Sequence, residues 1–237
     1  MTPPVLAVES LSAGYGQATV VNGVSLAIEQ GEIVAMLGHN GAGKSTILKT
    51  VMGLVRARSG SISFDGTDIT SLAPSSRVNR GLCLVPQTNN VFSEMTIYEN
   101  IDYSMRISQP DAAKRAVILA RIYDLFPILK ERSKLRAKSL SGGQRQMLGI
   151  SLALAKEPKV LLLDEPSLGL APVLVERVFE SISDINREFG TTVLVVEQNV
   201  NAALEIASRA YIIQTGRVFV ESSAESILQR EDLFSVL

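Results

Sequence analysis

Short runs along the chain are almost wholly apolar: Ile33–Leu37, Leu82–Val85, Val160–Leu163 and Thr192–Val196. Runs of this length between turn residues or charges predict strands buried on both faces of a mostly parallel sheet. A second pattern predicts half-exposed, antiparallel sheet. Val5–Val8 and Val24–Ile28 alternate or cluster apolar residues between turn signals, and Ser61-Ile62-Ser63-Phe64 alternates before an Asp65-Gly66 turn. Tyr211–Gln214 and Val218–Val220 flank a Thr-Gly turn and lead to a short C-terminal helix. Helices are expected over Thr46–Met52 and near Val173–Phe189, and a third opens at Leu140-Ser141-Gly142-Gly143-Gln144 and stops at Pro158.

From Asn89 to Ser139 the spacing turns helical. Asp111–Phe126, after Pro110, sets Ile118, Leu119, Ile122, Leu125 and Phe126 on one face and Lys114, Arg115, Arg121 and Asp124 mostly on the other. We read 1–237 as a single α/β domain with 89–139 as an inserted helical subdomain. Lys130, Arg132, Lys134, Arg136 and Lys138 read as a solvated face rather than a nucleic-acid patch.

The candidate chemistry begins where the first buried strand ends. Gly38-His39-Asn40-Gly41-Ala42-Gly43-Lys44-Ser45-Thr46 contains Gly-x-x-x-x-Gly-Lys-Ser between a strand and a helix. Glycines let such a loop turn its N–H groups inward onto phosphate oxygens. Lys44 is placed for the β- and γ-phosphates, the Ser45 hydroxyl for Mg²⁺, and the helix N-terminus faces the anion. His39 holds a variable position in this loop and reads as filler. The chain is expected to bind a nucleoside triphosphate on a phosphate-loop NTPase core.

Further residues gather at strand ends. Asp164 and Glu165 close an apolar strand, where adjacent carboxylates are costly unless they serve a cation or a proton transfer. Asp164 is expected to hold Mg²⁺ and Glu165 to polarise the attacking water. Gln87 follows the Leu82–Val85 strand and either touches the metal or water or is a loop amide. Tyr15, in Gly14-Tyr15-Gly16, either stacks on a base or is a surface tyrosine in a tight turn. Ser141 and Gln144 fit a capping box, while Gly142 and Gly143 expose N–H groups that would make a second anion site. Gln198, after Thr192–Val196, is either a phosphate-facing amide or a polar loop residue.

Composition narrows the classes. A formal net charge of -1 over 237 residues gives no basic field for nucleic acid. Hydrophobic residues make up 46%, yet no run reaches the roughly 18 apolar residues a membrane helix needs. Met-Thr-Pro-Pro-Val has neither the basic start nor the apolar core of an export signal, so a cytoplasmic chain is expected. The one cysteine, Cys83, lies in an apolar run and is expected to be buried, and with one histidine no His/Cys metal cluster is expected.

Taken in this order and spacing, the phosphate loop, Leu-Ser-Gly-Gly-Gln and Leu-Leu-Leu-Asp-Glu resemble an ATP-binding-cassette ATPase over nearly the whole chain. The resemblance implies ATP and Mg²⁺ as ligands and a head-to-tail pair of cassettes, of the same or of different chains. It implies that Tyr15 stacks on adenine, that Gln87 is the glutamine after the middle strand, and that Ser141, Gly143 and Gln144 reach the partner's γ-phosphate. Asp164 and Glu165 match the Mg²⁺-supporting aspartate and the catalytic glutamate. The helical stretch matches the part that docks on transmembrane permease subunits, which places the chain at the cytoplasmic face of the membrane. Two departures stand out. Leu168-Gly169-Leu170-Ala171 lacks the aspartate the family often has there, and Gln198 replaces its usual switch histidine. Glu-Pro-Ser-Leu-Gly-Leu-Ala-Pro and Val-Glu-Gln-Asn are similar to cassettes of branched-chain amino-acid importers, which implies a substrate-binding protein upstream. Urea, amides or other amino acids are the alternative solutes. A soluble cassette acting on DNA or ribosomes would need coiled coils or tandem cassettes, and a kinase or GTPase would leave Ser-Gly-Gly-Gln unexplained.

Overall fold

The computed structural model describes residues 3–88, 90–108 and 111–229. Met1 and Thr2 of the N-terminal segment, Asn89, which the sequence marks as the start of the helical stretch, and Pro110 lie outside the described residues. Two sheets organise the chain. The first runs in the order β2-β1-β4-β5, from β1 (Leu6–Tyr15), β2 (Ala18–Ile28), β4 (Ala57–Phe64) and β5 (Thr67–Asp68), and all its pairings are antiparallel. The second has the order β10-β9-β3-β8-β7-β6, from β3 (Ile33–Leu37), β6 (Leu82–Val85), β7 (Val160–Asp164), β8 (Thr192–Glu197), β9 (Arg209–Gln214) and β10 (Arg217–Ser223). Its strands pair in parallel except for β10, which folds back on β9. The apolar runs are thus strands of the parallel sheet, with Leu82–Val85, the strand before Gln87, at its edge rather than its middle, while Val5–Val8, Val24–Ile28 and Ser61–Phe64 fall in the smaller sheet. Tyr211–Gln214 and Val218–Val220 instead join the larger sheet, where β9 pairs in parallel with β3.

Parallel strands need crossovers, and helices supply them. The helices are α1 (Lys44–Val51), α2 (Pro74–Asn79), α3 (Ile97–Ser108), α4 (Ala112–Leu125), α5 (Pro127–Glu131), α6 (Gly142–Leu154), α7 (Pro172–Phe189), α8 (Val200–Ile206) and α9 (Ala224–Leu228), the last of which follows the final strand. On α4, Ile118 and Ile122 are buried, and Phe126, Leu119 and Leu125 pack on the same core, so the helical face read from the sequence is the one that is covered. Arg136 and Lys138, from the basic run, are exposed and pair with Glu94.

Some boundaries differ from expectation. The helix expected to run on to Pro158 ends at Leu154, because Glu157 already takes a left-handed turn (φ 51) and a residue ahead of proline is steered away from helix. The early strands are longer than their apolar stretches, since Arg58 donates to the carbonyls of Gly16, Gln17 and Ala18 and holds the β1–β2 turn in register. Helices α2 and α8 are too short to show a period in the sequence. Buried Arg77 on α2 donates to the carbonyls of Thr50 and Val51 and so caps the end of α1.

Candidate functional site

The C-terminal edge of the parallel sheet is where the β-to-α turns of a doubly wound fold present side chains. Strand β3 leads into the loop from Gly38 to Thr46. Gly38 has φ 145, and a Cβ there would lie 2.2 Å from the Ile213 carbonyl oxygen, so only glycine fits beneath the loop. Gly43 (φ 105) opens α1 with no side-chain cap, leaving the first N–H groups of the helix to an external anion. A cavity of about 230 Å³ sits over them, lined by Val20, Asn40, Gly41 to Thr46, Gln87 and Glu165.

Lys44 is 4% exposed and its ammonium donates to the carbonyls of Gly38 and His39. Burial draws its pKa below the usual lysine range, against the pull of Glu165, Asp164 and Glu197. Beside it, Ser45 Oγ donates to Asp164 Oδ1 at 2.8 Å, joining the loop to the end of β7. Burial pushes the Asp164 carboxyl above its ordinary value, opposed by that hydrogen bond and reinforced by the charge of Glu165. Gln87 Nε2 donates to Glu165 Oε2 at 2.7 Å, which leaves the glutamine carbonyl oxygen uncommitted to that contact. The Ser45 hydroxyl, the Asp164 carboxylate and the Gln87 carbonyl are hard oxygen donors of the kind Mg²⁺ takes.

The structure brings Lys44, Ser45, Gln87 and Glu165 together around one cavity, with Asp164 joined to it through Ser45. His39 is exposed and enters through its carbonyl alone, while Asn40, Ala42 and Thr46 line the cavity directly. Tyr15 is 51% exposed at the end of β1, paired with Ala18 on the turn that Arg58 clamps, close in the chain to cavity-lining Val20. Ser141 to Gln144 do not line the cavity. They open α6 with a complete capping box, in which the Gln144 N–H donates to Ser141 Oγ and the Ser141 N–H to Gln144 Oε1. Gln198 is exposed just beyond β8, and its N–H donates to Glu197.

Reasoning from sequence missed Val20, which lines the cavity from the small sheet, and Glu197, which is buried and accepts N–H groups from Ser167, Gln198 and Asn199. The apolar strand ahead of Glu197 was a usable signal for the second, since it repeats the pattern that leads to Asp164.

Comparison with known proteins agrees with this arrangement. The ABC transporter family profile matches residues 21–168. The high-affinity branched-chain amino acid transport ATP-binding protein BraG of Pseudomonas aeruginosa is 42% identical over 224 residues, covering 94% of this chain and 95% of that protein. A probable branched-chain amino acid transport ATP-binding protein, LivF of Archaeoglobus fulgidus, is 39% identical, covering 93% of each. Among solved structures, cbiO1 of Clostridium perfringens, part of the ABC transporter complex cbiONQ, superposes with a TM-score of 0.88 at 25% identity, covering 98% of this chain and 93% of that one. With a phosphate loop, a Ser-Gly-Gly-Gln helix start and an Asp-Glu strand end on this fold, the chain belongs to the ABC transporter family and is one of its ATP-hydrolysing cassettes.

Proposed function

We propose that this cassette drives an importer of branched-chain, hydrophobic amino acids from the cytoplasmic face of the membrane. The convergence of Lys44, the Ser45–Asp164 pair and the Gln87–Glu165 pair on one cavity carries the hydrolytic half of the reading. The solute rests on the two relatives of 42% and 39% identity. In this reading Tyr15 stacks on adenine, the loop from Gly38 to Thr46 wraps the phosphates, and Lys44 neutralises their charge. Ser45, Gln87 and Asp164 hold Mg²⁺, which when bound supplies further charge neutralisation on the phosphate oxygens. Glu165 takes the proton of the attacking water, and Gln198 donates to the γ-phosphate. Ser141, Gly142, Gly143 and Gln144 serve the nucleotide of a second cassette, identical or different, which explains why a helix start with free N–H groups stands apart from its own phosphate loop.

Among the described residues no helix is long and apolar enough to cross a membrane, so the importer reading requires separate permease subunits, fed by a substrate-binding protein. An apolar groove of about 430 Å³, lined by Phe92, Tyr103 and Ile107 of the helical stretch and by Leu54, Leu152 and Lys156 outside it, among others, supports docking of a permease where that stretch meets the rest of the chain. The test is ATP hydrolysis by the complete complex in lipid, with its binding protein loaded in turn with leucine, isoleucine, valine, urea or an amide. Stimulation several-fold above the unloaded state by the branched-chain set alone is expected. Stimulation by urea or amides instead would overturn the solute while leaving the ATPase standing.

A further inference from the structure

Strand β8 ends on a carboxylate that the hydrolysis described above does not use. Glu197 is 2% exposed, and backbone N–H donors surround it. Its two oxygens serve two different loops. Oε1 accepts the backbone N–H of Ser167 at 2.9 Å. Oε2 accepts the N–H of Gln198 at 3.0 Å and that of Asn199 at 3.3 Å. Ser167 belongs to the turn that starts at Glu165, which is closed by Leu168 N–H to the Glu165 carbonyl and by Leu170 N–H to the Ser167 carbonyl. In the sheet, Glu197 lies beside Leu37, the last residue before the phosphate loop, and its neighbour Val196 lies beside Asp164.

A buried carboxylate is a costly way to cap a turn, because burial opposes its charge and a hydroxyl or amide would cap as well. What a carboxylate alone offers at this length is two acceptor oxygens facing opposite ways with no donor between them. We propose that Glu197 is a positioning residue that locks the Glu165–Leu170 turn to Gln198, so that the proton acceptor and the γ-phosphate donor keep one fixed separation. The proposal rests on the roles given above to Glu165 and Gln198.

The full-length chain tests this through the kcat and KM of ATP hydrolysis, the nucleotide Kd and the thermal midpoint. Glu197→Asp keeps the charge and, through an Asx-type turn, the contacts to the following N–H groups. Its side chain is one methylene too short to hold Ser167 as well. Glu197→Gln keeps the length but has a single acceptor oxygen, so it serves one loop and sets its NH₂ against the donors of the other. Both variants should lower kcat by about 10-fold or more, as misplacing a transition-state donor does, with nucleotide Kd within about 2-fold of wild type. Glu197→Asp combined with Gln198→Ala should be within about 3-fold of Gln198→Ala alone, since positions acting through one contact are not additive.

A wild-type kcat in Glu197→Asp overturns the proposal and leaves Glu197 as a turn cap. So does a double variant whose loss is the product of the single losses, a Kd that rises in step with the fall in kcat, or a Glu197→Asp chain that does not fold. Failure of the underlying assignments looks different, because Gln198→Ala and Glu165→Gln would then themselves turn over at the wild-type rate.

Discussion

Gln87 Nε2 and Glu165 Oε2 stand 2.7 Å apart, a hydrogen bond that ties the end of β6 to the end of β7 beside the cavity over the Gly38–Thr46 loop. The bond occupies Oε2, and in the general-base role proposed for Glu165 the proton goes to Oε1. Glu165→Gln preserves the size of the side chain and a bond to Gln87 but cannot take that proton. Turnover should fall by about 10²- to 10⁴-fold, the usual worth of a general base, while ATP affinity stays close to wild type. Size-exclusion chromatography with ATP should then show a trapped dimer. Near-normal hydrolysis by the purified variant would remove the general-base role.

The Ser141 capping box separates two accounts of the α6 start. As a cap alone, its loss costs about 1 kcal/mol of stability and spares turnover. As a site for the partner's nucleotide, Ser141→Arg blocks hydrolysis and leaves ATP binding to the monomer intact. Ser141→Arg and Lys44→Ala chains, each inactive alone, should regain part of the wild-type rate when co-expressed with distinct tags and purified as mixed dimers. Mixed dimers that stay inactive would count against the shared site.

Gln198 offers two N–H donors and a carbonyl with no proton to lose. Gln198→Ala should slow hydrolysis by roughly 10- to 1,000-fold, the range for one transition-state donor. Gln198→His should keep activity but acquire a pH limb near the histidine value of about 6.5, which the native chain lacks at this position. Turnover at saturating ATP across neutral pH decides, and an alanine variant as fast as wild type would make Gln198 a loop amide only.

Cys83 on β6 is 3% exposed, and burial pushes its thiol up to about 11. The folded chain therefore keeps the proton through a range in which the unfolded chain loses it. This group's contribution to stability is complete below the unfolded thiol value and falls as pH rises toward the folded one. At pH 8 an alkylating reagent should label the urea-unfolded chain at least about 10-fold faster than the native one, since the thiolate is the reacting form. Equal rates in both states, followed by mass spectrometry, would contradict the burial.

What could be read from the chain was whatever lies contiguous in it. The Gly38–Ser45 loop, the Asp164-Glu165 pair and the central strands each occupy a few consecutive residues, so local pattern located them. Relations across long separations were not legible. Nothing local places β3 between β8 and β9, brings Ser167 to Glu197, or sets Arg58 on the turn that carries Tyr15. Nor does anything beside Arg77 in the chain point to the Thr50 and Val51 carbonyls it caps.

Strand β3 divides its side chains between two cores. Val34 and Met36 belong to the cluster under the small sheet, and Ile33, Ala35 and Leu37 to the cluster under the helices. β8 and β7 alternate in the same way. The phosphate loop therefore hangs from a keel that both halves of the molecule grip, and neither half can loosen without unseating it. Such a chain melts as one cooperative unit, and bound nucleotide lifts that single transition by mass action, by about 2.7 kcal/mol at a hundred times its Kd. Calorimetry with and without ATP reads this directly, and two transitions of which nucleotide moves only one would show that the keel does not join the cores.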